Sequence, residues 1–392
     1  MNHLRTGCHP PPARRAPARG FSLVELLVAV VIGLALVLAL TTVMIRHDSG
    51  KRTLISSNDL SLTSAFISFA LDRDLRSAGS GFTQDWRETF GCVLRVARGG
   101  AQILPRAAAF PAPFAGVPQQ VRLAPVLIHA GAGTGGSDVL AVVTGAAGLA
   151  ETPLPVQPGS STATNMRLLN TVGLRGNDLV LVAEDGVGCV VQQVASPFAG
   201  GANQLLSFGG TYAKSDIDSV QLASFGTAGN AFVSLLGNTV GNRPRLQLIG
   251  VGAGATLFSY DVLQLDGADA VQPLADGVAN LRALYGVDTN ADGMIDNWVA
   301  PTDVNFTAAA LTAGTLAAQQ RVMTIMAVRV GLVLRSDRIE REDVAPASIT
   351  LFSDLPVAVQ YTHAIAAGDR LQRFRAVEFT VPLRNVMLSA RL

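Results

Sequence analysis

The sequence has 392 residues, of which 49% are apolar and 15% are charged, with 30 Lys+Arg against 29 Asp+Glu. This apolar content is enough to bury a large core, and the 39 glycines indicate many turns and strands. The near-neutral charge disfavours a protein that binds nucleic acid through its bulk charge.

Residues 1–20 form a basic segment with four arginines, four prolines and no acidic residue. A segment of this composition cannot fold alone, and its positive charge is expected to keep it in the cytoplasm. We therefore predict a leader. Its removal lowers Lys+Arg from 30 to 26 against 29 acidic residues, which leaves a slightly acidic mature chain of net charge −3.

An apolar run follows the leader and extends to Ile45. Residues 26–45 carry no charge, and a helix of that length, at about 1.5 Å per residue, spans the roughly 30 Å hydrocarbon core of a bilayer. A general secretory signal has about 7 to 15 apolar residues followed by a small-x-small cleavage site, and neither feature fits here. A soluble core helix of this length would not be apolar on every face. The run therefore predicts a transmembrane helix.

Glu25 is the exceptional residue of this run. A carboxylate deep in lipid costs up to about 2.5 to 3.5 kcal/mol, so Glu25 is expected to have a partner. The nearest basic residues are Arg19 upstream and Arg46 beyond the far end of the run. A free α-amine on Phe21, one helical turn before Glu25, would serve as that partner. It would exist only if the chain were cut between Gly20 and Phe21.

The basic leader followed by Gly-Phe-Ser-Leu-Val-Glu at residues 20–25 resembles the class III signal of type IV prepilins and type II secretion pseudopilins. In that family a membrane prepilin peptidase cuts after the glycine, the new N-terminus is methylated, and the glutamate helps to dock each subunit into a helical filament. The resemblance implies processing at Gly20 and Phe21 and an assembly role for Glu25. The alternative is a permanent single-pass anchor, which leaves Glu25 unexplained.

Residues 46–78 are predicted to continue the helix as an amphipathic segment. Ile55, Leu62, Phe66 and Phe69 are spaced by seven, four and three residues, which places them on one helical face. We expect this face to pack on a sheet, with the charged residues in solvent. The glycines of residues 79–81 are expected to end the helix.

Three cysteines occur, and Cys8 lies in the leader, so the mature chain keeps Cys92 and Cys189. An even pair in an oxidising periplasm suggests one disulfide. Two unconnected buried thiols are the alternative, because separation along the chain does not fix distance in space.

The body of the chain is predicted to be rich in β-strands. Runs of Val, Leu and Ile bounded by Gly, Asn or Asp predict strands over residues 137–143, 177–183, 189–194 and 245–251. Residues 323–334 are long enough for a central strand, and Pro382 places the alternating strand around it at an edge or a bulge. An Ala-rich stretch over 308–320 predicts a short helix that Gly314 weakens.

The loop DTNADGMID at residues 288–296 resembles the first nine positions of an EF-hand-type calcium loop, with Gly293 at the sixth position to permit the sharp turn. Val299 stands where such loops have a bidentate glutamate, so water or another segment, such as Asp303, would complete the shell. The affinity is then expected to be about 10⁻⁵ to 10⁻³ M. An acidic turn without a cation is the alternative. The predicted ligands are Asp288, Asn290, Asp292, the backbone carbonyl of Met294, and Asp296.

Two segments resemble PilW-type minor pilins: LDRDLRSAGSGF at residues 71–82, which is similar to the end of the helix in that family, and RFRAVEFTVPLRN at 373–385, which is similar to its closing strand. The resemblance implies an α+β, type IV pilin-like fold, in which a long N-terminal helix, half membrane and half amphipathic, packs on a β-rich, mainly antiparallel C-terminal domain. The predicted segments are 1–20, 21–45, 46–78 and 79–392, with an inserted β region at about 95–255.

These features predict a non-enzymatic minor pilin that takes part in assembly, initiation or capping of a type IV pilus. Its expected partners are other minor and major pilins, the prepilin peptidase, the inner membrane and the pilus assembly platform. We expect a single-pass inner-membrane protein with a periplasmic domain that later reaches the extracellular pilus. The alternatives are a type II secretion pseudopilin, and a membrane-anchored adhesin or DNA-uptake binding protein that uses the 95–255 region.

Overall fold

The structure is a computed structural model that describes residues 22–145, 152–201 and 204–389. The chain divides into two compact units, Met1–Leu54 and Ile55–Leu392. The described α-helices are α1 (Leu23–Arg76), α2 (Trp86–Thr89), α3 (Ala308–Leu311), α4 (Leu316–Met323) and α5 (Arg384–Ser389).

The described part of the first unit is helical from Leu23 onward. Leu, Val and Ala dominate this segment, and the polar hydroxyls of Thr41 and Thr42 both donate to the backbone carbonyl of Leu38, at 3.0 and 2.7 Å. The large apolar side chains of Leu23–Ile45 are all exposed, so this segment has no core of its own.

The second unit contains the remainder of α1 and the strands. In chain order the strands are β1 (Leu94–Arg98), β2 (Ala101–Leu104), β3 (Val126–His129), β4 (Val139–Thr144), β5 (Leu154–Pro155), β6 (Asn165–Arg167), β7 (Asp178–Glu184), β8 (Gly188–Gln193), β9 (Leu205–Ser207), β10 (Asp216–Ile217), β11 (Val220–Gln221), β12 (Phe232–Asn238), β13 (Arg245–Val251), β14 (Thr256–Asp261), β15 (Val271–Asp276), β16 (Val278–Val287), β17 (Asn297–Val299), β18 (Ile325–Ile339), β19 (Ser348–Leu351), β20 (Tyr361–Ala364) and β21 (Gln372–Pro382).

Three larger sheets are formed by these strands in the part of the chain that the structure describes. A six-stranded sheet has the order β2-β1-β8-β7-β12-β5 and is antiparallel except between β1 and β8. A five-stranded sheet, β15-β14-β13-β4-β3, and a four-stranded sheet, β17-β16-β18-β21, are antiparallel throughout. The predicted α+β class, with a mainly antiparallel β-rich domain, is confirmed.

Strand β7 is buried on both faces, which explains its continuous apolar sequence. Leu179 and Leu181 point into the main core, whereas Val180 and Val182 point into a second core on the opposite face of the six-stranded sheet. The second core is built from residues 154–235 and therefore lies wholly within the region at about 95–255. The same region supplies β3, β4 and β13 of the five-stranded sheet.

Strand β18 is the central strand that the sequence predicts. It pairs with β16 on one side and β21 on the other. Gly331 lies in its middle, where an added Cβ would come within 2.7 Å of the Phe352 ring, so a glycine is required for this close approach. Pro382 is the last residue of the edge strand β21, as expected for a residue without a backbone N–H.

The Ala-rich stretch forms two short helices instead of one. Gly314, with a φ of +73°, separates α3 from α4. Each helix begins after a threonine whose hydroxyl accepts a backbone N–H: Thr307 accepts from Ala310, and Thr315 accepts from Ala318. These caps satisfy donors that a helix N-terminus otherwise leaves free.

Candidate assembly surface

Glu25 lies in the first turn of α1, where a negative charge is favoured by the helix dipole. Its side chain is exposed, and its Oε2 accepts the backbone N–H of Ser22 at 3.4 Å. Within the described residues no basic side chain forms an ion pair with Glu25. The predicted processing residues, Gly20 and Phe21, lie outside the described residues.

The segment Leu23–Ile45 presents an apolar surface on every side. Its large apolar side chains are between 51% and 75% exposed. By length and composition the segment is able to cross a membrane, and so is Thr53–Arg76, although the latter is partly buried in the second unit. An apolar helix whose hydroxyls are satisfied internally suits either lipid or a bundle of similar helices.

The part of α1 in the second unit buries a different face from the predicted one. The buried face consists of Leu60, Ile67, Leu71 and Leu75, of which the last three are at most 1% exposed. They contribute to the main core together with the five-stranded and four-stranded sheets. Their spacing of seven, four and four residues is as helical as that of the predicted face.

The prediction that Ile55, Leu62, Phe66 and Phe69 pack on a sheet was therefore wrong. These side chains are 41%, 62%, 55% and 68% exposed. The helix has two apolar stripes, and periodicity alone does not tell which of them meets the domain. The buried stripe is the one that continues to Leu75, next to the end of the helix at Arg76.

Leu62, Phe66 and Phe69 form what we call the exposed stripe. Phe66 borders two grooves, one of about 680 Å³ that reaches residues 335–338, and one of about 410 Å³ that reaches residues 243–247. Exposed apolar side chains that are rimmed by polar residues mark interaction surfaces. The exposed stripe is therefore a second candidate contact surface, within the globular unit.

The turn that follows α1 is held by a side chain from a distant part of the sequence. Asn385 Nδ2 donates to the backbone carbonyls of Ser77 and Ala78, at 3.1 and 2.9 Å. These carbonyls belong to the turn that follows Arg76, and the carbonyl of Ser77 also accepts the backbone N–H of Ser80 at 3.3 Å, so the amide adds a side-chain contact to this turn. Gly79, with a φ of +84°, turns the chain away, which confirms the predicted end of the helix. The segments 71–82 and 373–385 thus meet in space.

A charged contact fixes the same part of the helix to the five-stranded sheet. Asp74 is largely buried, and its Oδ1 accepts from Arg245 on β13 at 2.9 Å and from the neighbouring Arg73 at 3.1 Å. The hydroxyl of Thr144, at the end of β4, donates to the backbone carbonyl of Asp74 at 3.3 Å. The helix is therefore held by polar contacts as well as by its buried leucines.

Cys92 and Cys189 form the predicted disulfide. Their Cα atoms are 6.1 Å apart, and Cys189 is fully buried in β8. Leu94, two residues after Cys92, pairs with Cys189 in the parallel β1–β8 contact. The bond therefore ties the segment that follows the long helix to the centre of the six-stranded sheet.

The acidic loop at residues 288–296 is the turn between β16 and β17. Asp288 is 2% exposed, and its carboxylate accepts the backbone N–H groups of Asn290, Ala291 and Gly293 at 3.2, 2.7 and 2.7 Å. Gly293 has a φ of +85°, so it occupies the turn position that the sequence assigned to it. These contacts hold the backbone of residues 290–293 around the Asp288 carboxylate.

The other two carboxylates of the loop converge on one amide. Asn290 Nδ2 donates to Asp292 Oδ2 at 3.2 Å and to Asp296 Oδ1 at 3.3 Å. Hydrogen bonds from the hydroxyl and backbone N–H of Thr289 lower the pKa of Asp296. Val299 lies in β17 and offers no side-chain oxygen. Among the described residues, no group of three or more His, Cys, Asp or Glu side chains is arranged to hold a metal.

Two family models match the sequence. The model described as Type IV Pilus-assembly protein W, PilW, matches residues 243–385, and the model described as Prokaryotic N-terminal methylation motif matches residues 15–41. No curated protein and no solved structure matches the chain. The first match extends from β13 to Asn385 and includes the four-stranded sheet, and the second includes Glu25 and the start of α1.

Proposed function

Because the chain is a PilW-like type IV pilin, we propose that it is a minor, non-enzymatic pilin that helps to assemble, initiate or cap a type IV pilus. The proposal rests chiefly on the exposed apolar helix Leu23–Ile45 with Glu25 in its first turn. A large exposed apolar surface marks a site of contact with a membrane or a protein. The match to the N-terminal methylation motif fits a membrane-anchored pilin.

The proposed mechanism is the transfer of this helix from lipid into a bundle of similar helices. Lipid tails are as apolar as Leu side chains, so the transfer has little hydrophobic driving force and depends on packing and polar contacts. Glu25 supplies such a contact if it pairs with the N-terminal α-amine of a neighbouring pilin. The proposed partners are thus the inner membrane, the prepilin peptidase, other minor and major pilins, and the assembly platform.

The exposed stripe supports the same proposal from the globular unit. Leu62, Phe66 and Phe69 offer an apolar contact to a neighbouring subunit, while the opposite face of the helix is committed to the domain core. We propose that the domain faces the periplasm before assembly and the exterior in the pilus.

A pseudopilin of a type II secretion system is the second candidate function, because it would use the same apolar helix and Glu25. The match to a pilus-assembly family favours the pilus. Deletion of the gene decides between the two candidates. Loss of surface pili with normal protein secretion supports the minor pilin, whereas normal pili with a secretion defect supports the pseudopilin. Normal pili and normal secretion would instead favour an adhesin or DNA-uptake protein.

Replacement of Glu25 by alanine is expected to leave processing intact and to abolish most incorporation into pili. The change removes the proposed partner of the neighbouring α-amine but not the cleavage position. Mass analysis of the membrane-extracted protein should give a chain that begins at Phe21. Immunoblots of sheared pili should show at least a tenfold loss of the variant, because removal of one partner of a buried charge pair costs about 3 to 5 kcal/mol.

The matched control is Glu342→Ala, which removes a carboxylate from an exposed loop of the globular unit. It should change neither processing nor incorporation. A wild-type chain that keeps Met1, or that is cut near residue 45, would contradict the processing step. Wild-type levels of Glu25→Ala protein in sheared pili would contradict the role of the carboxylate.

We also propose that the acidic loop binds Ca²⁺ in a structural role. Its oxygen donors are of the type that Ca²⁺ prefers, and the convergence of Asp292 and Asp296 on a single amide shows that their carboxylates approach one position. Asp288, Asn290, Asp292, the Met294 carbonyl and Asp296 would hold the ion. Bound there, the ion would neutralise carboxylates that otherwise repel one another.

Calcium is expected to raise the melting temperature of the detergent-solubilised mature protein. With a Kd of about 10⁻⁵ to 10⁻³ M, about 5 mM free Ca²⁺ adds about 1 to 4 kcal/mol to the free energy of unfolding. Trp298 lies beside the loop and reports the transition by fluorescence. Asp292→Ala should remove the calcium-dependent shift, whereas Asp343→Ala, in an exposed loop, should keep it. Equal melting temperatures of the wild type in calcium and in chelator would rule out the site.

A further inference from the structure

A cavity of about 340 Å³ lies on one face of the five-stranded sheet and has no role in the proposed assembly surface. Its floor is a row of paired residues across three strands, in which Ala141 of β4 pairs with Leu127 of β3 and Leu248 of β13. The loop 117–124 and the helix α3 with residues 312–313 form its walls. Binding cavities for small molecules start at about 300 Å³, so this one is within their range.

The cavity exists because small side chains surround it. Ala141 stands at the centre of the floor, between two leucines, where a larger apolar residue would fill the space. Ala308, Ala309 and Ala313 line the opposite wall. Protein cores are packed to high density, and unfilled apolar volume lowers stability because lining atoms lose contacts. A bound apolar group would restore those contacts.

His129 is one of the polar residues that line the cavity. It is the last residue of β3, lines the cavity, and forms no side-chain hydrogen bond to any described residue. Burial lowers its pKa to about 4, so the ring is neutral at neutral pH and has one donor and one acceptor nitrogen. The residue is only half-buried, so these groups are available to a ligand with a polar atom.

Arg122 supplies a positive charge at the same cavity. Its Nη1 donates to the backbone carbonyl of Gly91 at 2.7 Å, and no described carboxylate forms an ion pair with it. A half-buried guanidinium that contacts only a carbonyl retains donors suited to a carboxylate. The lining therefore combines an apolar body, one neutral imidazole and one uncompensated cation.

We propose that this cavity binds a small monocarboxylate whose apolar body lies over Leu127, Ala141 and Leu248 and whose carboxylate group pairs with Arg122. His129 donates a hydrogen bond to the same ligand. A cavity of about 340 Å³ lies at the lower end of the range of small-molecule sites, which suits a small acid such as an aryl acetate or a short fatty acid.

The test uses 4-fluorophenylacetate and the mature full-length protein in detergent, with ¹⁹F line broadening as the readout and empty micelles as the blank. We expect saturable broadening by the wild type and binding at least about tenfold weaker for the neutral 4-fluorophenylacetamide, since the charge-assisted pair is lost. Arg122→Gln should weaken binding of the acid by a similar factor. Arg341→Gln, in an exposed loop, should leave it unchanged.

Two variants fill the cavity from different sides. Ala141→Leu occupies the floor, and Ala309→Phe blocks the mouth from an exposed position that does not depend on the core. Both should abolish saturable broadening while the circular dichroism spectrum stays native. The proposal is overturned by the absence of saturable broadening with the wild type, by equal affinities for acid and amide, or by retained binding in Ala309→Phe. A cross-link in cells between a photoreactive residue at position 309 and another pilin would also overturn the proposal, because the cavity would then receive a side chain of that pilin.

Discussion

Simultaneous replacement of Cys92 and Cys189 by alanine should lower the free energy of unfolding of the second unit by about 2 to 5 kcal/mol. The bond closes a loop across a sequence separation of 97 residues, and in the chain-entropy account a loop of about 100 residues contributes about 4.7 kcal/mol. A domain is stable by only about 5 to 15 kcal/mol, so the loss is a large share of the total.

Denaturant unfolding of the mature protein in detergent measures this effect. Treatment of the wild type with a reductant provides the control, because it opens the same bond without changing the sequence. The reduced wild type and the double variant should have nearly equal midpoints, and the variant should not respond to reductant. A double variant as stable as the oxidised wild type would contradict a stabilising role for the bond.

Substitution of Leu71 by alanine should destabilise the protein by about 2 to 5 kcal/mol and thereby reduce its abundance. Leu71 is 1% exposed and is packed in the main core, so truncation leaves a cavity among residues of the helix and the sheets. The free energy of unfolding is again measured by denaturant titration. An effect below about 0.5 kcal/mol would contradict the assignment of the buried face.

Phe69→Ala is the matched control on the same helix, two residues away. Phe69 is 68% exposed, so its truncation should change stability by no more than about 0.5 kcal/mol. If the exposed stripe contacts a neighbouring pilin, Phe69→Ala should nevertheless lower incorporation into pili. The two variants thus separate the stabilising face from the proposed contact face. Equal pilus content in Phe69→Ala and wild type would remove the stripe from the interface.

Strands could be predicted from the sequence where burial requires a run of apolar residues. Residues 179–183 are apolar throughout because β7 has a core on each side, and residues 325–334 are apolar except for Arg329 because β18 is central in its sheet. The faces of α1 could not be assigned in this way. Both stripes have helical spacing, and the choice between them depends on where the sheet surface lies, which the helix sequence does not encode.

Contacts between distant segments also could not be predicted from the sequence. Asn385 and Ser77 are 308 positions apart, so their hydrogen bond has no local signature. Ala141 gives no sign of a cavity until Leu127, Leu248 and α3 are placed around it. Cys92 and Cys189 could be paired because Cys8 lies in the predicted leader and only two other cysteines occur, so the prediction came from the number of cysteines and not from geometry.

The contact between Asn385 and the turn after α1 joins residues that are synthesised far apart in time. The helix emerges from the ribosome before β21 and before Asn385, whose side chain contacts the turn after the helix. Because the contacts that complete the unit join opposite ends of its sequence, the unit cannot close cooperatively on a nascent chain that stops before residue 385. The apolar segment Leu23–Ile45 is thus synthesised well before the second unit is able to complete its fold.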